Sequence, residues 1–380
     1  MKLQTFRHAA RAGWSTPEFP KLDSKQTMVL VFGSADRIDN PGVLRELIAA
    51  YPQSHVIGCS TAGEILDTSI SDGSISVAIC RFDHTTLRSV ATPVDGAAGQ
   101  SRAAGRFLGE VLTAPDLRGV LVISDGIRVN GSELLAGLNE VLPATVVVTG
   151  GLAGDGDRFK RTWIINQGTA REGFVSAIGF YGERISIGHG SKGGWDIFGP
   201  ERVVTRSAGN VLFEIDGRPA LALYKEYLGE RAAGLPATAL LFPLALRQSR
   251  HDQKSLVRTI LCTDEATQSM TFAGDIPQGS LCQLMRANFE RLIDGASEAA
   301  RATTRDSAGE GDCLAIAISC VGRRLVLGQR SEEEVEAVKE ALPKNAQLIG
   351  FYSYGEISPH TAGRCDLHNQ TMTLTMITEN

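Results

Sequence analysis

His55-Val-Ile-Gly-Cys-Ser-Thr-Ala-Gly-Glu-Ile65, near the start of the chain, returns near its end as Gln347-Leu-Ile-Gly-Phe-Tyr-Ser-Tyr-Gly-Glu-Ile357. Gly58, Gly63, Glu64 and Ile65 fall on Gly350, Gly355, Glu356 and Ile357 at one constant offset, so the chain repeats a structural unit. Each copy is an apolar run closed by a glycine-acid turn, the pattern of a strand entering a tight turn. Upstream, Met28-Val-Leu-Val-Phe32 reads as another strand, Asp39-Asn-Pro-Gly42 as a turn and Val43 to Ala50 as a helix. With a further strand at Ile75 to Phe82, the spacing predicts a βαββ unit over residues 27–82.

The order recurs from Gly119-Val-Leu-Val-Ile-Ser124, through a helix at Ser132 to Val141, into Thr145-Val-Val-Val-Thr-Gly-Gly-Leu-Ala-Gly-Asp155. Strands at Trp163 to Asn166 and Phe174 to Phe180 complete it, with a glycine-acid turn one residue shorter. A third copy runs from Cys313 to Ser319, through a helix at Ser331 to Leu342, to Leu348-Ile-Gly350. Ser331 and Glu334 predict an N-terminal capping box there. Repeated βαββ units imply an α+β fold of mixed sheets with helices on one face, in two domains. Between the second and third copies, Arg184 to Gly279 is β-rich and broken by Gly199-Pro200, Gly217-Arg-Pro219 and Gly274-Asp-Ile-Pro277. Pro219 opens a helix at Ala220 to Leu228. The expected division is an extension over 1–25, an N-terminal domain over 26–220 and a C-terminal domain over 221–380.

Composition narrows the function classes. The 380 residues are 43% hydrophobic, enough to bury sizeable cores. A net charge of -5 supplies no excess of cations for phosphates, which argues against nucleic acid and anionic membranes as partners. No apolar run approaches the roughly 18 residues of a membrane span. The seven cysteines are odd in number, lack any CxxC and sit mostly in apolar runs, the usage of a reducing, cytoplasmic compartment.

The separate motifs, in order, resemble the FIST family of sensory proteins. The N-terminal pattern is carried by Ile57 to Glu64, Gly150 to Asp155, Val204-Thr-Arg-Ser-Ala-Gly-Asn210 and Glu214-Ile-Asp-Gly-Arg-Pro-Ala220. The C-terminal pattern is carried by Leu256-Val-Arg258, Phe272 to Gly279, Ile349 to Pro359 and Leu367-His-Asn-Gln-Thr371. The resemblance implies a signal-input module rather than an enzyme, with small ligands such as amino acids. A stand-alone subgroup is similar in binding b-type haem, sensing nitric oxide and acting on a histidine kinase or a cyclic-di-GMP enzyme. That subgroup implies haem b as cofactor here.

His189, in Ile187-Gly-His-Gly-Ser-Lys-Gly-Gly-Trp-Asp-Ile-Phe198, departs from the general family pattern and is the first choice of axial ligand. Its flanking glycines suit close approach to a flat macrocycle, with Trp195 and Phe198 lining it, and nitric oxide is expected to release a loop at 188–194. A turn histidine hydrogen-bonded to its own backbone is the structural alternative, and His360 is the rival ligand. His368 fits a packing role. Glu64, Asp155 and Glu356 either cap their own turns or face a pocket that binds an ammonium group. In that haem-free alternative Cys59, Ser60, Tyr352 and Tyr354 complete the ligand set. Gly63 and Gly355 are expected to supply unusual backbone angles. Gly150 to Gly156 lacks the order of a phosphate loop, and Gly58 to Ala62 lacks the partners of a nucleophile elbow.

Overall fold

The computed structural model describes residues 1–97, 99–252, 255–303, 311–361 and 364–380, without the side chains of residues 360 and 361. The three sequence copies fold as three equivalent units of six strands each. In the first these are β1 (Lys2–Ala9), β2 (Thr27–Ser34), β3 (His55–Thr61), β4 (Glu64–Leu66), β5 (Ser69–Ser71) and β6 (Ile75–Arg81). The second comprises β7 (Thr86–Pro93), β8 (Leu117–Ser124), β9 (Val147–Leu152), β10 (Ile164–Asn166), β11 (Thr169–Arg171) and β12 (Phe174–Tyr181). The third comprises β13 (Ile185–Lys192), β14 (Cys313–Cys320), β15 (Ala346–Ser353), β16 (Gly355–Thr361), β17 (Arg364–His368) and β18 (Met372–Glu379).

Helices join the first and second strands of each βαβ pair, which lets those strands run parallel: β2 with β3, β8 with β9 and β14 with β15. The connecting helices are α1 (Gly42–Ala49) in unit one and α3 (Gly131–Val141) in unit two, with α2 (Gln100–Leu112) packed on α3. Past α4 (Ala220–Leu228), unit three carries α5 (Phe289–Thr303), α6 (Val321–Leu327) and α7 (Ser331–Ala341). The repeated glycine marks these parallel pairs. A Cβ at Gly58, Gly150 or Gly350 would stand 2.0, 1.8 or 1.9 Å from the carbonyl oxygen of Val31, Val122 or Ala317.

Each unit gives its short hairpin away. Sheet 1 runs β11-β10-β3-β2-β6-β1 and ends on a short strand at Gly13–Trp14; sheet 2 runs β17-β16-β9-β8-β12-β7; sheet 3 runs β13-β18-β14-β15-β4-β5. The hairpin of unit one completes sheet 3, that of unit two completes sheet 1, and that of unit three completes sheet 2, a closed ring of exchanges. Side chains from all three sheets meet in one apolar core that includes Leu30, Leu121 and Ile316. Phe32 and Phe351 pack in it with centroids 4.6 Å apart. Residues 196–286 add a separate sheet over its own core of Val204, Leu212, Leu244 and Phe272, with the expected helix following Pro219.

Two local expectations are corrected. Ser331 is the first residue of α7 rather than its cap, and its hydroxyl donates to the carbonyls of Arg324 and Gly328. Glu334 turns inward instead, where its carboxylate meets the Arg323 guanidinium at 2.6 Å with both side chains fully buried. Gly63 does take a left-handed backbone with φ +134°, whereas Gly355 has no positive φ, and a Cβ there would stand 2.9 Å from Leu367 Cδ1.

Candidate functional site

The strand register identifies equivalent positions where neighbouring sheets meet. Gly58, Gly150 and Gly350 pair with Val31, Val122 and Ala317, which pair with Val77, Ala177 and Leu374. One residue further on, Ala78, Ile178 and Thr375 stand opposite Thr5, Ser89 and His189. His189 therefore occupies the place of Thr5 and Ser89. Between sheets 1 and 3, Thr5 Oγ1 donates to Gln347 Oε1 at 3.0 Å; between sheets 2 and 1, Ser89 Oγ lies 2.9 Å from His55 Nδ1. Three residues before the repeated glycine, Gln347 and His55 correspond to Val147, whose side chain cannot make that bond. Two residues beyond Thr5, Arg7 reaches across to Ser71 Oγ at 3.5 Å; the same step leads to the short side chains of Ala91 and Ser191.

The seam between sheets 3 and 2 opens into a cavity of about 430 Å³, lined by His189, Ser191, Trp195, Met285, His368 and Thr371 among others. His189 belongs to a strand, not to the loop expected over 188–194. Its flanking glycines admit α5: a Cβ at Gly188 would be 2.3 Å from Thr303 O and one at Gly190 2.0 Å from Ala299 O. Because side chains alternate along a strand, His189 then faces away from α5, on the side of Thr375 and Ile316. The Trp195 indole is buried and donates to Gln370 O at 2.9 Å. Arg323 donates to Gly193 O and, at 2.8 Å, to Leu292 O, fixing the turn that carries Trp195. Phe198 does not join them; it packs in the core of the 196–286 sheet, 5.9 Å from the Phe242 ring. The side chain of His360 lies outside the described residues. His368 is buried, with Nε2 at 3.2 Å from Ser358 O.

The glycine-acid turns converge through backbone bonds: Ala62 N donates to Tyr352 O at 2.8 Å, Tyr352 N to Gly63 O at 2.9 Å and Gly154 N to Ser60 O at 3.0 Å. Their carboxylates are engaged inside the fold. Glu64 accepts from Thr61 Oγ1 and from Ser74 N and Oγ, both at 2.8 Å. Glu356 accepts from Ser353 Oγ at 2.7 Å, Thr371 N at 3.2 Å and Thr371 Oγ1 at 2.9 Å. Burial pushes these two carboxyls up, to about 7 and about 8, against the hydrogen bonds that lower them. Asp155 accepts from the N–H groups of Phe159, Lys160 and Arg161 and from the Tyr354 hydroxyl, a contact between units two and three. The Tyr352 hydroxyl donates to Glu334 at 3.0 Å. Ser60 Oγ accepts from Trp163 N, and Cys59 is buried in the central core, where burial holds its thiol well above the usual range.

Met285, Val257 and Ser255 complete the cavity wall and went unnoticed in the sequence, because they arrive from the separate 196–286 sheet and share no spacing with His189. Among the described residues no three His, Cys, Asp or Glu side chains gather as a metal-ligand set, and no helix is long and apolar enough to cross a membrane.

Comparison with known proteins adds two matches to family models: the FIST N domain over residues 27–218 and the FIST C domain over residues 220–359. No curated protein matches the chain. Among solved structures, a cyanuric acid hydrolase from A. caulinodans is similar with a TM-score of 0.36 and 9% identity, over 93% of this chain and 90% of that one.

Proposed function

The chain belongs to the FIST family, whose domains are sensory domains of signal transduction proteins, and on that premise we propose that it is a nitric oxide sensor holding haem b through His189. The observation that carries this reading is that His189 and Trp195 line one cavity of about 430 Å³, within the size range of cofactor pockets. The donor set suits the group: an imidazole on a rigid strand, with Trp195, Val257 and Met285 as apolar wall. Bound haem would supply an iron that ligates nitric oxide. The chain's own residues hold and exclude: His189 is aimed by the ladder to β18, and Trp195 is held by Gln370 and, through its turn, by Arg323. With His189 in a strand rather than a loop, occupancy would be passed on through the Gly193-Gly194-Trp195 turn and the Arg323 side chain bonded to it. A histidine kinase or a cyclic-di-GMP enzyme would receive the signal, and the protein itself acts as receptor, not catalyst.

A haem-free receptor for a small, amino-acid-like ligand is favoured by a different observation. Ser191 and Lys192 line the same cavity and would meet the carboxylate of such a ligand. Absorption spectra of protein purified with haem supplied separate the two. The sensor is expected to show a Soret band that shifts with nitric oxide and is lost in His189→Ala and in Ser191→Arg, which sets at this seam the side chain that fills its counterpart at Arg7. A colourless protein stabilised by one amino acid overturns the haem reading; a band that survives His189→Ala overturns the ligand assignment.

A further inference from the structure

The seam between sheets 1 and 2 holds a cavity of about 450 Å³ in the position equivalent to that of His189. Ser89, Val90 and Ala91 of β7 form one wall, as His189, Gly190 and Ser191 of β13 do in the other cavity, and Ile165 to Gly168 at the tip of the β10–β11 hairpin form the opposite wall. In the first seam the residue equivalent to Ala91 is Arg7, which reaches the neighbouring hairpin at Ser71; Ala91 is too short to cross.

The lining carries no carboxylate, lysine or arginine. Burial lowers the His55 pKa, so the ring is held toward its neutral form, and it is already bonded to Ser89 Oγ at 2.9 Å. Three polar groups are left to a guest. The Ser176 hydroxyl belongs to a residue only 5% exposed, and the side-chain amides of Asn166 and Gln167 stand at the hairpin tip; none makes a side-chain hydrogen bond with the described residues. Gln167 takes its left-handed backbone, φ 48°, as the first residue of the two-residue hairpin turn, as Asp67 does in the first unit. Ile48 and Val90 supply apolar surface between these groups. A hydroxyl and two amides around a neutral apolar patch match alternating C–H and O–H faces, and nothing in the wall would neutralise a charge.

We propose that this seam cavity is a second ligand site, taking an uncharged polyhydroxylated molecule of about monosaccharide size. The site is independent of whether His189 binds anything. The test is a titration of the full chain with glucose and myo-inositol, followed by amide shifts in nitrogen-15 spectra, with glucose 6-phosphate as the charged control. Saturable shifts are expected at His55, Ser89 to Ala91 and Ile165 to Gly168, with weaker binding of the phosphate ester. Ala91→Arg, which reproduces the closed first seam, is expected to abolish them. Should that variant not fold, Asn166→Ala is expected to weaken binding roughly three- to tenfold, the loss of about one hydrogen bond. The proposal is overturned if neither polyol gives a saturable shift at these amides, if binding is unchanged in both variants, or if glucose 6-phosphate binds more tightly.

Discussion

At the level of single residues, Glu356 shows how burial and hydrogen bonding oppose each other in one turn. Burial raises its carboxyl to about 8, although Ser353, Thr371 and the Arg323 charge pull the other way. Between the ordinary carboxylate value and about 8 the folded chain binds the extra proton, so this group's contribution is complete below that ordinary value and is lost as pH rises through about 8. Glu356→Gln is therefore expected to flatten the fall in melting temperature over that window; a slope equal to the wild type would show that the carboxyl titrates normally. Glu379 has the opposite sign. Burial pushes its carboxyl up, but the Thr85 hydroxyl and the N–H groups of Asp83, His84 and Thr85 more than reverse this and hold it at about 2. Its stabilisation is present above the ordinary carboxylate range and lost as pH falls toward about 2, so Glu379→Gln should lower the melting temperature at neutral pH and much less in strong acid. The repeated glycine was legible in the sequence as a motif, but its cause is the neighbouring strand's carbonyl. Gly350→Ala is expected to cost about 1–3 kcal/mol or more in denaturant unfolding, as overpacking without room to relax.

Among elements, α7 follows the helical spacing of its sequence, while its first turn does not follow the capping-box spacing. Ser331 and Glu334 have capping-box spacing, but a fully buried Arg323 on α6 competes for the carboxylate, and a charge without water outweighs a cap. The Arg323–Glu334 pair, with Ser319 and Tyr352 also on Glu334, ties α6, α7, β14 and β15 to the turn at Gly193. Removing one partner leaves the other charge buried, so Arg323→Ala should destabilise by about 3–5 kcal/mol, whereas joint replacement by Met and Leu should cost much less. Equal losses in the single and double variants, measured by urea melts, would contradict the coupling. The His189 segment is a strand despite its loop-like sequence for a related reason. Glycines at alternate positions usually signal a loop, yet here they clear space for α5, and only the helix's position reveals which purpose they serve.

For the whole molecule, the hairpin exchange makes each unit depend on the next. A fragment covering 221–380 would lack β13 and the β4–β5 hairpin that close the two edges of sheet 3. Expressed alone it is expected to show no cooperative thermal transition, and to gain one when mixed with residues 1–220; a cooperative melt of the isolated fragment would show that the exchanged strands are dispensable. The sequence by itself determined the parallel strand–helix–strand pairs, because the periods of apolar residues and the turn glycines that specify them lie within about forty residues of chain. It also determined the family and the residue type at each candidate site. Only the tertiary structure decided which sheet each hairpin joins, because an edge strand carries no local record of its partner. It likewise decided that Arg7 bridges one seam while Ala91 and Ser191 line cavities at the other two, since these residues become equivalent only once the register is known.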